Sequence, residues 1–400
     1  MLKPFIKPNQ NLLAALLLHF SRLLLSCAGI ALWNTQAYAI EPIKFGTTQA
    51  LTGHYEDFGV QQLRGLQMWV EDVNERGALL GRPVSLTYYD DYSRDAGTVK
   101  GFLKLLAEDK VEFLIGPYSS SLTLEASLIA EQFGVPMVAT GASSEEIWSR
   151  GLQNIFGIDT PTGNYLQGFT LPKQVGAKTV ALVYADTEFP REVAQSMRKN
   201  AQATGLKIVL DEAYPPPERN FSALVNKLAK ADADLIFGAS YLEDSVALTR
   251  ALKAKGVKPK MLAFTVGPAL REFGDLLGED AEGIVGLVQW LRSIRLPGAQ
   301  DFAYRYRQRY GENPGVHAAI GYSAGQVMET AIRLAGTTEH AAVRKQLRTM
   351  FFRSLLGKYQ VDETGRQIGK HNYVLQWQDD ARRLVAPRQL AEKALIYPLP

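Results

Sequence analysis

The chain has 400 residues, 46% of them hydrophobic and 21% charged, which is the composition of a globular protein with room for two domains of ordinary size. Its formal net charge of +3 at pH 7 is carried by Lys3, Lys7 and Arg22, because residues 1–39 contain these cations and no acid, and the remaining residues balance to zero. This balance gives no support to a nucleic-acid or anionic-membrane partner.

Residues 1–39 have the layout of a secretory signal peptide. Two lysines precede a long apolar stretch, which ends at an A-x-A cleavage site formed by Ala37 and Ala39. An uncleaved membrane anchor and a lipid on Cys27 are the alternatives, because the stretch is long and this cysteine follows a run of leucines. Cys27 is the only cysteine, so we expect a periplasmic mature protein without disulfides, thiol catalysis or cysteine-bound metal.

Short apolar runs alternate with helical patterns in two successive blocks, which is typical of βαβ units around a parallel sheet. The first block predicts strands at 43–50, 83–90, 112–116 and 135–140 and helices at 59–77, 95–109 and 121–134. The second block predicts strands at 179–186, 207–214, 234–240 and 260–266 and helices at 192–205, 221–231 and 245–256. The fold class is therefore α/β, with two lobes of similar construction.

The last third of the chain changes to a helical pattern. After an apolar run at 282–290, three helices are predicted, and they must pack onto one of the two lobes because no new sheet accompanies them; they are 299–311, 317–336 and 341–350. The segments 355–369 and 371–384 close the chain and are predicted to form a turn-linked pair with strand character.

Two serine-rich loops follow successive strands of the first block. The strand at 112–116 runs into three serines, 119–121, and the strand at 135–140 runs into Ser143 and Ser144. Parallel strands present their carboxyl ends at one edge of a sheet, where helix starts offer free N–H groups and a positive dipole end. If the two strands are neighbours, the paired loops favour a site for a carboxylate.

Each loop taken alone also fits an ordinary helix start. Ser143 with Glu146 matches a capping box, and Ser120 or Ser121 matches an N-cap. Only the pairing of the loops on one edge favours a ligand over these local roles.

A serine nucleophile is the alternative function. The stretch GYSAG, residues 321–325, matches G-x-S-x-G around Ser323, and His340 and His371 follow it. The hydrolase mechanism requires a strand, a sharp turn and a helix, whereas this motif lies within one predicted helix whose small residues suit close packing. The sequence therefore favours a packing role for Ser323.

Other chemistry is thinly represented. The five histidines form no metal-spaced pair, and the chain has no phosphate-binding loop and no dinucleotide-binding glycine motif, so no cofactor or metal is expected. Asp90 and Asp91 follow a predicted strand, where they fit a metal site, an acid pair or, more commonly, a cap of the following turn.

Together these features resemble the type I periplasmic solute-binding proteins of ABC transporters, in the leucine/isoleucine/valine-binding family. The resemblance runs from about Ile43 to Trp377 and rests on a combination of short pieces: LTG after the first strand, the N-x-x-G turn of Asn74, the pair Asp90-Asp91, IGPYSSSLT, GVPMVATGAS and EGIVG. It implies a non-enzymatic binder with two Rossmann-like lobes joined by a hinge, which closes around a small solute and docks onto a membrane permease.

The resemblance also implies a set of ligand contacts. The family's contacts to the ligand α-carboxylate fall on Ser120 and Ser143, its carbonyl contact to the ammonium group falls on Gly141, and its aromatic walls fall on Phe58, Phe189 and Tyr241.

One position departs from the family pattern. The glutamate that usually pairs with the ligand ammonium corresponds to Thr265, so an amide, an aromatic carboxylate or another organic acid joins the amino acids as a candidate ligand. Asp159, near the crossover between the lobes, is the candidate replacement charge, with a loop cap before Pro161 as its alternative role.

The resemblance sets the lobe boundaries as well. We expect lobe 1 to comprise residues 40–161 plus 291–370 and lobe 2 to comprise 162–290 plus 371–400. The predicted function is the extracytoplasmic binding component of an ABC importer. A serine hydrolase and a periplasmic ligand-sensing subunit are the alternatives.

Overall fold

The computed structural model describes residues 40–167, 169–216 and 220–400. All elements below belong to one compact unit, Pro42–Pro400. The predicted signal peptide, its membrane-anchor alternative and the lipid alternative at Cys27 lie outside the described residues.

The first sheet has five parallel strands in the order β2-β1-β3-β4-β5. All four strands predicted for the first block are present, and β5 is a further strand of three residues that the sequence pattern did not reveal. The strands are β1 (Ile43–Gln49), β2 (Val84–Asp90), β3 (Phe113–Ile115), β4 (Met137–Ala139) and β5 (Ile155–Gly157), and the helices of this block are α1 (Glu56–Glu75), α2 (Asp95–Ala107), α3 (Ser120–Phe133) and α4 (Glu145–Ser149).

The second sheet has seven strands in the order β14-β13-β10-β9-β8-β6-β7. Strands β6 to β9 pair in parallel as predicted, and β10, in the apolar run 282–290 that was not assigned to a strand, pairs in parallel with β9. Strands β13 and β14 extend the sheet in antiparallel fashion at one edge. The strands are β6 (Thr179–Ala185), β7 (Lys207–Tyr214), β8 (Leu235–Ala239), β9 (Met261–Phe264), β10 (Val285–Val288), β13 (Tyr373–Gln378) and β14 (Ala381–Ala386). The predicted α/β fold with two parallel sheets is confirmed.

The helices that accompany the second sheet, and those that follow it, lie close to the predicted segments. They are α5 (Thr162–Tyr165), α6 (Leu171–Gln174), α7 (Glu188–Thr204), α8 (Ser222–Ala231), α9 (Leu242–Lys255), α10 (Arg271–Leu277), α11 (Ala299–Tyr310), α12 (Val316–Ala335) and α13 (His340–Thr349), with 3₁₀ turns at Gly267–Ala269 and Gly278–Ala281. The lobe boundaries set out above stay a prediction.

The C-terminal pairing differs from the prediction. The segments 355–369 and 371–384 do not form one pair; instead a small hairpin joins β11 (Phe352–Ser354) to β12 (Gly357–Tyr359), and β13 forms its own hairpin with β14. The turn between β13 and β14 is Asp379-Asp380, and both residues have positive φ, 53° and 55°. This is the backbone of a tight two-residue hairpin turn, so the chain reverses there and β13 is free to join β10.

Close packing of α12 against α1 explains the small residues of the GYSAG segment. A Cβ added at Gly321 would lie 2.1 Å from the Gln62 carbonyl oxygen, and one added at Gly65 would lie 2.1 Å from the Ala318 carbonyl oxygen. Any larger residue would push the two helices apart. The predicted packing role of this segment in a helix is confirmed.

Candidate ligand-binding site

A cavity lies where the carboxyl ends of strands from both sheets face each other. It encloses about 50 Å³, room for a few water molecules. Six of the eight sequence-predicted site residues line it, together with eleven others: Tyr118, Ser119, Ser120, Gly141, Ser143, Asp159, Tyr165, Phe189, Tyr241, Val266, Ala269, Leu287, Val288, Gln289, Val316, His317 and Ile320.

The two serine loops meet at Ser120. Strands β3 and β4 are hydrogen-bonded neighbours, so the loops that follow them leave the same edge of the sheet. The Ser120 hydroxyl oxygen accepts hydrogen bonds from the backbone N–H groups of Ser143, at 3.1 Å, and Ser144, at 3.2 Å. Because a hydroxyl oxygen has two lone pairs and both are engaged, the group that Ser120 can still offer a ligand is its O–H proton.

Ser143 is not the cap of the helix that follows it. The N-cap of α4 is Ser144, whose hydroxyl oxygen accepts from the Glu146 N–H at 3.2 Å, so the predicted capping box of Ser143 with Glu146 is wrong by one residue. Glu192 of α7 also accepts the Glu145 N–H at 2.7 Å. This displacement leaves the Ser143 side chain in the cavity wall.

Asp159 is a buried carboxylate in the cavity wall. One of its oxygens accepts the Gly141 N–H at 2.7 Å, and the other accepts from the Gln289 side-chain amide at 3.0 Å. Burial raises the pKa of Asp159, and the nearby ammonium of Lys370 opposes that rise. Lys370 is itself buried, which lowers its pKa, and it donates to the Ile158 carbonyl at 2.7 Å.

Gly141 owes its identity to this tight arrangement. Its φ is +60°, in the left-handed region, and a Cβ there would lie 2.3 Å from the Tyr118 ring and 2.7 Å from the Gln62 amide nitrogen. A glycine is therefore required both by the backbone and by the space around it.

The aromatic wall differs in part from the prediction. Phe189, in the first turn of α7, and Tyr241, the N-cap of α9, line the cavity as expected. Phe58 does not: its ring stacks on Tyr118 with centroids 4.6 Å apart and planes at 14°. Phe58 therefore packs against Tyr118, and it is Tyr118 that lines the cavity.

Thr265 does not line the cavity; it follows β9 directly, and its side chain bonds to the residue that follows β8. Its hydroxyl donates to the Ser240 carbonyl at 2.7 Å and accepts the Ser240 N–H at 3.0 Å, and the residue is fully buried. It holds the ends of β8 and β9 together. The acids that follow it most closely in sequence, Glu272 and Asp275, lie in α10.

The sequence reasoning missed several lining residues, of which His317 is the most unusual. It lies in the first turn of α12, its ring packs edge-on against Phe58 and Tyr118 at 5.1 Å each, and burial lowers its pKa to about 3. Neither ring nitrogen has a hydrogen-bond partner within the described part of the chain. A position two residues after a glycine, at the start of a helix, gives no signal of this role.

Tyr118 stands in the quoted stretch IGPYSSSLT, directly between the strand and the serines. Its place at a strand end was the available signal. Tyr165, which packs edge-on against Phe189 at 5.3 Å, had none, because the short helix α5 follows a loop.

The rival chemistries find little support. Ser323 lies in the middle of α12, and its hydroxyl oxygen accepts the Leu356 N–H at 3.0 Å. Asp90 and Asp91 accept backbone N–H groups of the turn that follows them, at 2.8 Å from Tyr92 and 2.9 Å from Ser93. Across the described residues, no group of three or more His, Cys, Asp or Glu is placed to hold a metal ion.

None of the helices in the described ranges combines the length and hydropathy that a membrane-spanning segment requires.

Comparison with known proteins agrees with this fold. A family described as periplasmic binding protein matches residues 42–382. Leu/Ile/Val-binding protein homolog 7 of Brucella suis biovar 1 (strain 1330) is 26% identical over 397 residues, with 94% of this chain and 99% of that protein covered.

Two solved structures show the same fold. A leucine-binding protein from Thermotoga maritima MSB8 superposes with a TM-score of 0.79 at 22% identity, with 86% of this chain and 98% of that chain covered. A solute-binding protein of an ABC transporter from R. palustris, in complex with benzoate, superposes with a TM-score of 0.76 at 19% identity, covering 86% and 95% of the two chains. Since the family match extends over residues 42–382, the chain belongs to the periplasmic binding protein family, and the predictions of that family, of the two-lobe α/β fold and of a binding protein rather than an enzyme are confirmed.

Proposed function

We propose that this chain is the extracytoplasmic solute-binding component of an ABC importer and that it captures an amino acid or a related small carboxylate in the cavity. The meeting of the two serine loops at Ser120 carries the proposal, because Ser120, the first residue of α3, and Ser143, after β4, both line the cavity. The names of similar proteins support it: one binds leucine and another was solved with benzoate, and both of these ligands are carboxylates.

The carboxylate end of the ligand is assigned to these serines. Among the described residues the Ser120 O–H proton has no acceptor, and the free N–H groups at the start of the 14-residue helix α3 carry the positive end of its dipole. Hydrogen bonds from neutral donors to a carboxylate contribute about 1.5–3 kcal/mol each. Two hydroxyls therefore hold an anion without a cationic side chain.

If the ligand carries an ammonium group, its proposed hydrogen-bond acceptors are the Asp159 carboxylate and the Gly141 carbonyl. Asp159 lines the cavity but already has two hydrogen-bond donors, and the Lys370 ammonium lies close enough to affect its pKa. The cavity can therefore bind a ligand with an amine, but Asp159 does not need one as a partner. This is the reason that simple organic acids remain candidates beside α-amino acids.

The body of the ligand lies among aromatic and apolar groups. Phe189 and Tyr241 come from the elements of the second sheet, whereas Tyr118 comes from the first. We propose that Phe58 and Thr265 affect the ligand indirectly, through Tyr118 and the β8 edge.

Capture is proposed to involve hinge closure. Residues of both sheets line one cavity, so a ligand held there is contacted from both sides, and closure removes water from it and strengthens its hydrogen bonds. The closed form then docks onto a membrane permease. The periplasmic location depends on the signal peptide proposed for residues 1–39.

A ligand panel tests the proposal. Thermal-shift assays would compare leucine with 4-methylpentanoate, its deaminated analogue, and phenylalanine with 3-phenylpropanoate and benzoate. We expect carboxylates with apolar bodies to raise the unfolding temperature, and Ser143→Ala to weaken the best of them by about 1–3 kcal/mol in calorimetry. Ser121→Ala is the control, because Ser121 follows Ser120 in the first turn of α3 but does not line the cavity. Equal affinities in both variants and wild type would refute the serine site.

The same panel run on Asp159→Asn decides the ligand class. If the native ligand carries an amine, this variant should lose about 2–5 kcal/mol of affinity for amino acids and little for their deaminated analogues. Leucine binding that is tight and unchanged in the variant would place the ammonium contact elsewhere. Once the ligand is known, loss of its uptake by cells lacking this chain tests the importer role.

A further inference from the structure

A second, larger cavity adjoins the ligand cavity and has a different chemistry. It encloses about 400 Å³, and Val316 lines both cavities. Its walls come from the crossover after β10, from the loop before α12 and from the β13–β14 hairpin.

Positive charge dominates this second cavity. Four arginines line it, Arg271, Arg292, Arg382 and Arg383, against two carboxylates, Asp380 and Glu392. Taken at face value, four cations less two anions leave an excess of two positive charges. The Glu392 carboxylate is already engaged by the backbone N–H of Leu384 at 2.9 Å and by the Ser293 hydroxyl at 3.2 Å.

Two donors in the wall have no acceptor. The indole Nε1–H of Trp290, a residue only 1% exposed, and the Nε–H of Arg383 find no hydrogen-bond partner among the described residues. Leaving a buried donor unsatisfied is unfavourable, and such groups are rare in native proteins. Because Trp290 and Arg383 both line the second cavity, we expect an acceptor bound there to become the partner of these donors.

The surroundings of Arg382 disfavour its positive charge. Burial is the main cause that lowers its pKa to about 10; the neighbouring Arg271 and Arg292 lower it further, and Glu272 and Asp275 oppose this only in part. Asp275 is also committed to Arg271 through an ion pair of 2.9 Å. An anion placed among these guanidinium groups would relieve their repulsion.

We propose that this second cavity is a binding site for a small dianionic oxyanion, of the class of phosphate, sulfate or a short dicarboxylate. Guanidinium forks and an indole N–H are donors without acceptor capacity, and their geometry suits the oxygens of such an anion. Arg271 is paired with Asp275, whereas Arg292, Arg382 and Arg383 form no ion pair among the described residues, and these three cationic groups suit a dianion. The site is separate from the serines of the ligand cavity and does not depend on the importer role.

Inorganic phosphate, sulfate and succinate are the probes. Each would be titrated into the purified wild-type protein, with potassium chloride at matched ionic strength as the reference, because screening alone changes the stability of a charged site. We expect at least one dianion to raise the unfolding temperature above the chloride reference and to change the tryptophan fluorescence, since Trp290 and Trp377 both line the cavity. The response to succinate against phosphate distinguishes a dicarboxylate from an inorganic anion.

Variants locate the binding. Trp290→Phe keeps an aromatic ring but removes the N–H, and Arg383→Gln removes one charge; each should weaken binding of the responding dianion about tenfold or more. Arg295→Gln is the matched control, an exposed arginine of the same crossover that does not line the cavity, and it should bind as wild type does. Ser143→Ala should also leave this response intact, which separates the second cavity from the first.

Two results would overturn the proposal: no dianion stabilises the protein beyond chloride, or binding persists unchanged in both Trp290→Phe and Arg383→Gln. If Trp290→Phe fails to fold, Arg383→Gln alone decides, because that side chain is only partly buried.

Discussion

Replacing Ser120 by alanine should weaken both ligand binding and folding. The substitution removes one oxygen atom, and with it the acceptor of the Ser143 and Ser144 N–H groups. Ser120 is 2% exposed, so bulk water cannot readily take its place. A net loss of about 0.5–1.5 kcal/mol for each of the two hydrogen bonds gives a cost of about 1–3 kcal/mol in the free energy of unfolding.

Urea unfolding in the absence of ligand measures this cost. The expected result is a lower midpoint with an unchanged dependence on urea, because the surface exposed on unfolding stays the same. Ser121→Ala is the control: its hydroxyl lies 3.0 Å from that of Ser119, and it makes no link between the loops. If the two variants unfold at the same urea concentration, the bridging role of Ser120 is refuted, whatever happens to ligand affinity.

Three further substitutions test other parts of the site. Gly141→Ala should abolish ligand binding and lower stability, because its Cβ would strike the Tyr118 ring at 2.3 Å and its φ of +60° disfavours alanine; calorimetry and urea unfolding check this. Between pH 7 and pH 4, the free energy of unfolding of His317→Gln should fall by about 3 kcal/mol less than that of wild type, because the variant has no buried imidazole to protonate. The sign follows because the pKa of His317 is about 3 in the folded protein and 6.5 in the unfolded chain: its contribution to stability is full above pH 6.5 and is lost as the pH falls from 6.5 toward 3. Equal pH dependence of urea unfolding in the variant and wild type would contradict this prediction. Ser323→Ala should cost about 1 kcal/mol, since it deprives the Leu356 N–H of an acceptor, without changing ligand affinity; an esterase activity lost in this variant would restore the hydrolase alternative.

The part of the site that follows from chain direction was predictable. Strand ends that share an edge bring their loops together whatever the side chains do, so the pairing of the loops at Ser120 and Ser143 could be inferred from apolar runs alone. The same reasoning found most of the two sheets. It missed β5 because three apolar residues, Ile155–Gly157, form too short a run to indicate a strand.

Side-chain orientation was not predictable. Thr265 follows a strand end, as a lining residue should, yet its hydroxyl bonds to Ser240 and lies outside the cavity. Phe58 is aromatic and close to the cavity, yet Tyr118 lies in front of it. The N-cap of α4 is Ser144 and not Ser143 as predicted. The sequence pattern cannot decide which of two adjacent serines caps a helix, because this depends on the three-dimensional arrangement.

The charges around the ligand cavity constrain the ligand more than any single contact does. Asp159 and Lys370 are both buried and oppose each other's charge, so the cavity starts close to electrostatic balance before a ligand enters. The Ser120 and Ser143 hydroxyls add donors without adding charge, and the neutral His317 ring adds a donor and an acceptor. Such a wall favours a ligand that brings its own carboxylate and a modest polar group, since an extra uncompensated cation would disturb the existing pair. The absence of a second acid at Thr265 then has a physical consequence. Asp159 is the one carboxylate that the described residues contribute to the cavity lining, so we expect any ligand amine to compete with Lys370 for it.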